Sequence, residues 1–446
     1  MSMRSGVRSM LVQSPTGSGK TILTAYMLKT AESKGMAAFF IVHRRELIEQ
    51  SIETFNTVNV PHGVIARGFP QNRNKLIQIA SIQTLVRRYE QFKKPSLIIW
   101  DECHHISAGS WDRLYRSFPD AYHIGLTATP QRLDGTGLNK WFEKMIKGPS
   151  VRWLIDNGFL CNYTLYAPSG VNLDGVHTRM GDYVQSEIED IVDRPTVTGD
   201  AIKHYLKFCN GKRAVAFCVS VKHSKHVVEQ FNKSGIIAAH VDAKTPPEER
   251  STIIRRFRDG KIKVLSNVEL FGEGFDLPAL EAAILLRPTK SIGLYLQQVG
   301  RALRPSLDKD KAVILDHAGN CHIHGFPDDE REWSLKGRKG KKSKPGVLIK
   351  TCKACFAAIP SKSEKCPHCG YEFIPVGREV EFVDGDLVEV DTKVTKDAKL
   401  VEQGKCRTFE DLVALGKRRN YRYPYKWAKI IMQTRKKKEL DVESKV

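Results

Sequence analysis

Along the first third of the chain, short apolar runs alternate with stretches in which apolar residues return every three or four positions. SMLVQ (9–13), AAFFIV (37–42), LIQIA (76–80), SLIIWDE (96–102) and YHIGLTA (122–128) are rich in Ile, Val, Leu and Phe and predict buried strands. Between them, TILTAYMLKTAESKG (21–35) and RRELIEQSIETFN (44–56) carry helical spacing, the first closing on Gly35 as a C-terminal cap does. The pattern then repeats. RAVAFCVS, IIAAHV, IKVLSNV, EAAILLRP and KAVILDH, between residues 213 and 317, predict five further strands. VKHSKHVVEQFNKSG and PPEERSTIIRRFRDG predict helices, the second with prolines at its start. Strand alternating with helix implies an α/β class with parallel sheets covered on both faces, here twice in tandem.

Residues 1–165 are therefore read as one domain and 166–330 as a second, with VNLDGVHTRMGDY (171–183) between them as a polar loop or hairpin. KGRKGKKSKPG (336–346) lacks apolar and acidic residues, so 331–349 reads as a flexible basic linker. A cysteine cluster follows (350–375), then a basic tail (376–446) in which TFEDLVALGKRRNYRYPYKWAKIIMQTRKKK predicts two helices around a turn at Tyr423–Pro424.

At 446 residues with 41% hydrophobic and 27% charged content, the chain is long enough for several ordinary globular domains. No apolar run is long enough to span a bilayer, and MSMRSGVRSM lacks the apolar core of a secretory signal. The formal net charge of +21 favours a polyphosphate partner, with a generally basic surface as the plain alternative. Six cysteines are scattered and four form two tight pairs, which fits a reducing, cytoplasmic setting with one metal site rather than a disulfide framework.

QSPTGSGKT (13–21) lies between a predicted strand and a predicted helix, the context of a loop that holds phosphate on backbone N–H groups. Ser14, Pro15, Thr16, Gly17, Ser18, Gly19, Lys20 and Thr21 form it. Lys20 supplies charge to the terminal phosphates, Thr21 a hydroxyl to Mg²⁺, and Ser14 replaces the usual first glycine. Asp101 and Glu102 end a predicted strand and fall at the same sheet edge. Asp101 is placed to hold Mg²⁺ and Glu102 to orient and deprotonate a water, although two adjacent acids could also open a solvated helix.

The glycine-lysine loop, DECH (101–104), GLTATP (125–130), NVELFGEGFDLP (267–278) and QQVGRALRP (297–305) resemble, in order, motifs I, II, III, V and VI of superfamily 2 helicases and translocases. IVHRREL resembles motif Ia and SIQTL a further strand-contacting motif. The resemblance covers roughly Met10 to Asp329, and LDHAGNCHIHGFPDDEREWSL looks like the DExH helicases of bacteriophages and prophages. It implies two RecA-like domains, ATP as cofactor, and a bacterial host cytoplasm as the setting. It also implies that Arg301 and Arg304, with Gln297, reach the γ-phosphate from the second domain, where bidentate guanidinium contact suits developing phosphate charge. Gly274 and Asp276 would sense nucleotide, Thr127 and Thr129 would couple hydrolysis to domain movement, and His104 would meet Gln297 across the cleft. His43, Arg44, Arg45, Ser81, Gln83 and Thr84, with the segment CVSVKHS, would face a nucleic acid through sequence-independent contacts. DNA is the favoured polymer, with RNA left open because discrimination at the 2′-hydroxyl is not read from motifs. Relatives of this kind carry an adenine-contacting helix ahead of the first strand. Only nine residues precede SMLVQ's apolar core here, so either the native start lies upstream or adenine is held weakly by other residues; ATP hydrolysis is expected to survive, with base discrimination in doubt.

CKACFAAIPSKSEKCPHCGYEF places Cys352, Cys355, Cys366 and Cys369 as two C-x-x-C pairs, the spacing of a tetrathiolate Zn²⁺ ribbon, with His368 exposed rather than ligating. Interleaved Arg, Lys, Tyr and Trp in the tail suit phosphate contact and base stacking, or equally a docked helical pair with a basic outer face. Three functions stay open: an ATP-dependent DNA helicase, a duplex translocase subunit of a restriction or repair assembly, and a binding module without ATPase activity.

Overall fold

The computed structural model describes residues 6–132, 135–167, 176–179, 182–192, 195–268, 280–306, 309–337, 349–352, 354–355, 357–373, 406, 408–419, 423–429 and 431–433. It divides into two compact units, residues 1–374 and 375–446.

The first domain of the larger unit is a seven-stranded sheet of β1 (Ser9–Gln13), β2 (Ala38–Val42), β3 (His62–Ile65), β4 (Ile77–Ser81), β5 (Leu97–Trp100), β6 (Tyr122–Thr127) and β7 (Lys144–Lys147), in the spatial order β3-β4-β2-β5-β6-β1-β7. Every pairing is parallel. Helices α1 (Lys20–Ser33), α2 (Arg45–Thr57), α3 (Ile82–Leu85) and α4 (Gly109–Arg116) connect the strands, and α5 (Val151–Asp156) follows β7 with Leu154 and Ile155 in the core of the second domain. The apolar runs are buried on both faces, as a helix-covered parallel sheet requires: Phe39, Ile41 and Trp100 lie in one core, Phe40, Val42 and Ile99 in the other. Gly35 takes φ +70 just beyond α1, the left-handed conformation that ends a helix at least cost in a glycine.

The second domain is a six-stranded parallel sheet. It consists of β8 (Asn162–Tyr166), β11 (Ala214–Phe217), β12 (Ala238–Val241), β13 (Val264–Asn267), β14 (Ala282–Leu285) and β15 (Lys311–Asp316), ordered β12-β13-β11-β14-β15-β8. All five strands expected here form. β8 also joins this sheet by pairing with β15, so the second domain begins before residue 162 and the expected boundary at 165/166 cuts through one of its strands. The polar stretch after β8 contributes a hairpin of β9 (Thr178–Arg179) and β10 (Asp182–Tyr183). Helices α6 (Gln185–Val192), α7 (Pro195–Cys209), α8 (Val221–Lys233), α9 (Pro247–Arg258), α10 (Ile292–Ala302) and α11 (Asn320–His324) complete the domain, α9 with Pro247 in its first turn. An antiparallel pair, β16 (Ile349–Thr351) and β17 (Ala358–Pro360), belongs to the cysteine module.

In the smaller unit, α12 (Phe409–Arg418) opens on a capping box, Thr408 accepting from Asp411 N–H while the Asp411 carboxylate accepts from Thr408 N–H. Residues 424–429 form a second helical stretch, and Leu412, Leu415 and Ala428 share an apolar cluster with Trp427. Pro424, expected in a turn, instead opens the second stretch, and Tyr423 and Tyr425 are exposed.

Buried in β6, His123 has a single workable protonation state. Trp100 Nε1–H donates to Nδ1 at 3.1 Å, which leaves Nε2–H to donate to the Phe118 carbonyl at 3.0 Å. A second proton on Nδ1 would face the indole N–H, and burial pushes the pKa down to about 4. An unfolded histidine titrates near 6.5, so stability is fully present above that pH and is lost as pH falls toward the folded value. Equilibrium urea unfolding of the His123→Gln variant is expected to show an acid limb shallower than the parent's by about 1 kcal/mol per pH unit between roughly pH 6 and 4.5. Parallel limbs would show that His123 already titrates normally in the fold.

Candidate active site

The carboxyl ends of β1, β5 and β6 converge, and there the sequence-predicted residues collect. The phosphate loop leaves β1 and is pinned to β6: Ser14 N–H donates to the Thr127 carbonyl at 3.0 Å and Gln13 Nε2 to the Ala128 carbonyl at 3.0 Å. Gly17 and Gly19 take φ +83 and +80, a curve that directs the chain into α1 at Lys20. Ser14 and Ser18 hydroxyls meet at 2.6 Å, and Ser18 Oγ also donates to the Pro15 carbonyl at 2.7 Å. Serine at the position of the usual first glycine thus braces the loop. Lys20 Nζ folds into it, donating to the Ser14 and Pro15 carbonyls at 3.1 and 3.0 Å, where a phosphate oxygen would compete. Burial lowers its pKa; Glu102 and Asp101 oppose that, and Arg301 and Arg304 add to it.

Asp101 follows β5, buried, its N–H bonded to the Ile41 carbonyl at 3.0 Å. Burial first and the neighbouring Glu102 second push its pKa up to about 7. Such a carboxyl is poised to lose its proton when a cation arrives. Glu102 adopts φ +47, rare for a residue with a side chain. His104 Nδ1 lies 3.4 Å from the Glu102 carboxylate and 3.2 Å from Thr127 Oγ1. Thr127 gives its only proton to the Thr129 carbonyl at 3.1 Å, so toward His104 it accepts, and the imidazole proton sits on Nδ1. Motifs II and III are thereby joined side chain to side chain.

The second domain closes the site. α10 begins at Ser291, whose side chain accepts from Leu294 N–H, and buries Gln297 and Arg301. It lies so close to the first domain that a Cβ on Gly300 would stand 2.9 Å from Thr16 Cβ, and one on Gly293 3.0 Å from Thr129 Oγ1. A Cβ on Gly17 would stand 3.7 Å from Arg304 Cγ. Arg301 in the last turn of α10 and Arg304 just beyond its end therefore both lie at the phosphate loop. Gln297 and His104 line one interdomain cleft of about 260 Å³, together with Arg44, Thr129, Arg287 and Lys290. Gly274 and Asp276 lie outside the described residues.

Sequence reasoning passed over three features. Gly300 and Gly293 set the approach of the domains; the fixed glycine inside Q-x-x-G-R was the available signal for the first. Asp182 in β10 accepts from Thr289 Oγ1 at 2.9 Å and Lys290 N–H at 2.7 Å, bracing the turn that starts α10. Arg250 of α9 pairs with Glu46 of α2 across the domains at 2.7 Å, and no local pattern announces that pair.

Of the residues assigned to a polymer, His43 follows β2 and Ser81 ends the neighbouring β4, and Gln83 joins them: its Nε2 donates to the His43 carbonyl at 3.0 Å while its Oε1 accepts from Ser81 Oγ at 2.6 Å. Thr84 shares α3 with Gln83. Arg44 faces the cleft, whereas Arg45 pairs with Glu49 at 3.0 Å and stacks on Phe69.

The four cysteines converge with ligand atoms within 4.8 Å of one another; Cys352 and Cys369 sulfurs are 3.6 Å apart, Cys355 and Cys366 3.7 Å. A tetrahedron with Zn–S bonds of about 2.3 Å has S···S edges of about 3.8 Å, so the donor set fits Zn²⁺. His368 is exposed. None of the ten cysteines is in a disulfide.

Residues 2–132 match the family model described as the res subunit of type III restriction enzymes, and residues 199–306 match the helicase conserved C-terminal domain. A 51.5 kDa protein of a Lactococcus phage is 38% identical over 391 residues, 85% of this chain and 83% of that protein. The chain belongs to superfamily 2 of the helicases. The Saccharomyces cerevisiae protein provisionally named ATP-dependent helicase IRC3 is 29% identical over 348 residues, 72% of this chain, and the chain spans only 50% of its length. The DNA 3'-5' translocase XPB2 of Sulfurisphaera tokodaii is 25% identical over 342 residues, 68% of this chain and 75% of that protein. A solved fragment assigned as the HsdR subunit of a type I restriction enzyme from Vibrio vulnificus shares the fold, with a TM-score of 0.58 at 23% identity over 73% of this chain and 63% of that one.

In this superfamily 2 helicase the Gly300–Thr16 approach leaves no room for a methyl group. Gly300→Ala is expected to displace the arginines from the phosphate loop and lower kcat for ATP on the order of 10²-fold, while thermal unfolding stays near the parent's. Unchanged turnover would show that the contact does not set the arginines.

Proposed function

We propose that this chain is an ATP-driven motor on DNA that hydrolyses Mg·ATP in the cleft between its two α/β domains. The observation that carries the reading is the placement of Arg301, in the last turn of α10, and of Arg304, just beyond that helix, against the phosphate loop and Lys20 of the first domain.

On this reading the backbone of residues 14–19 and the Lys20 ammonium hold the β- and γ-phosphates. Thr21 and Asp101 would hold Mg²⁺, which would supply charge neutralisation to the phosphates. Glu102 takes a proton from the attacking water, and His104 keeps that carboxylate oriented. Arg301 and Arg304 meet the charge that develops on the γ-phosphoryl group, with Gln297 beside them. Loss of the γ-phosphate removes what the lysine and the arginines grip jointly, so the domains part; Thr127 and Thr129, between His104 and α10, pass that change on. A strand held by His43, Arg44, Ser81, Gln83 and Thr84 is stepped accordingly, with Arg45 released from Glu49 to join them. The names of the restriction-enzyme family model and of the archaeal translocase support DNA as the polymer, and the phage relative supports a bacterial host cytoplasm as the setting. No helix among the described residues is long and apolar enough to cross a membrane.

Zn²⁺ on the four cysteines would be structural, its tetrahedron closed to water. The module adjoins the second sheet: Tyr166 of β8 bridges to Ala357, and Thr351 Oγ1 donates to the Ala167 carbonyl at 3.3 Å. A metal there would stiffen the edge of the motor domain.

Steady-state ATPase measured with single-stranded DNA, duplex and RNA tests the motor reading. DNA is expected to stimulate turnover, Lys20→Ala and Glu102→Gln to abolish it, and Arg301→Ala to lower kcat by roughly 10³-fold. Stimulation by RNA alone would overturn the choice of polymer; background turnover with every polymer would overturn the enzyme. Strand displacement on a forked duplex then separates a helicase from a duplex translocase. For the ribbon, elemental analysis should find one zinc per chain in the parent and none in the Cys366→Ser, Cys369→Ser double variant. Zinc retained by that variant would contradict the assignment.

A further inference from the structure

The polymer-facing motif and the catalytic acid are far apart in sequence, yet one side chain assigned to neither touches the neighbours of both. The His105 ring centroid lies 5.0 Å from that of His43 and 4.2 Å from that of His104, and the buried Trp111 of α4 stands 6.0 Å away. Beyond His43 the contacts continue through its carbonyl to Gln83 at 3.0 Å. Beyond His104 they continue to Glu102 at 3.4 Å. A packed succession thus runs from the residues expected to grip a strand to the residue expected to activate water.

The backbone adds a lever. Cys103–His105 form a single 3-10 turn, and His105 N–H donates to the Glu102 carbonyl at 3.1 Å, so the turn moves as one piece. Its pivot is Glu102, held in the left-handed region at φ +47. A side-chain residue in that region persists only where its surroundings enforce it, and a small push on those surroundings changes its preferred setting. Close packing means that a displaced His43 ring cannot leave the His105 ring where it stands.

We propose that His105 is a positioning residue that relays occupancy of the polymer site to Glu102. A strand engaging the His43–Arg44 segment shifts the His43 ring, His105 follows, and the turn re-aims the Glu102 carboxylate relative to His104 and the attacking water. The relay works by ring packing, so a planar ring without nitrogen should serve and a methyl group should not. This inference rests on the motor reading above.

The test uses the full chain, with ATPase titrated against single-stranded DNA and, in parallel, anisotropy of a fluorescein-labelled oligonucleotide. For His105→Ala the rate without DNA and the oligonucleotide affinity are expected to match the parent's. Its maximal stimulation is expected to fall on the order of tenfold or more, as a misaligned base implies. His105→Phe should recover most of that stimulation. His105→Leu, which fills the space without a flat ring, serves the same comparison should the alanine variant fold poorly, and is expected to lose stimulation too. Parental stimulation in the alanine and leucine variants overturns the relay while the motor reading stands. Loss of affinity with undiminished maximal stimulation also overturns it, making His105 a binding residue, and so does a phenylalanine variant as poor as alanine. A parent that no polymer stimulates defeats the motor reading itself and the relay with it.

Discussion

The approach of α10 to the phosphate loop is the constraint on which the rest depends. Glycine at residue 300, 2.9 Å from Thr16 by the position its Cβ would take, lets a helix of one domain lie on the nucleotide loop of the other. Two guanidinium groups then share a small volume with a lysine. Like charges so close repel, and burial sharpens that repulsion. The acids Asp101 and Glu102 answer part of it, which is why Lys20 feels all four groups at once. On the proposed reading, a triphosphate adds negative charge between the lysine and the arginines, and loss of its γ-phosphate weakens what holds the two domains together.

The acids illustrate the same balance from the other side. Asp101 is pushed toward neutrality by burial and by Glu102, and a cation beside it would favour its ionised form. Glu102 sits beside it in a backbone setting that side chains avoid, tied through His104 to Thr127 and so to the loop that touches α10. Strain at one residue and hydrogen bonds through two others link the acid to the domain seam. The Glu46–Arg250 ion pair adds a second tie between the domains, away from the nucleotide.

Much of this was legible in the sequence for physical reasons. Strands buried on both faces read as unbroken apolar runs, which located ten strands of the two large sheets. β3 and β7 were missed because four residues with polar or lysine flanks carry too little periodicity, and β8 because its partner, β15, lies far along the chain. The phosphate loop and the acids were readable because their spacing is dictated by local backbone geometry. The arginines were readable only through family resemblance, since nothing in QQVGRALRP says which domain it faces. Gly300 as a spacer, Asp182 as a brace and the Glu46–Arg250 pair depend on contacts between distant segments, and no local pattern encodes those. The glycine and aspartate expected in motif V fall outside the described residues.

The most direct measurement is a structure of the chain with Mg·ADP and a beryllium fluoride mimic of the γ-phosphate. The account predicts the mimic between Lys20 on one side and the Arg301 and Arg304 guanidiniums on the other, each within hydrogen-bonding distance. Nucleotide held by Lys20 alone, with both arginines directed to solvent, would contradict it.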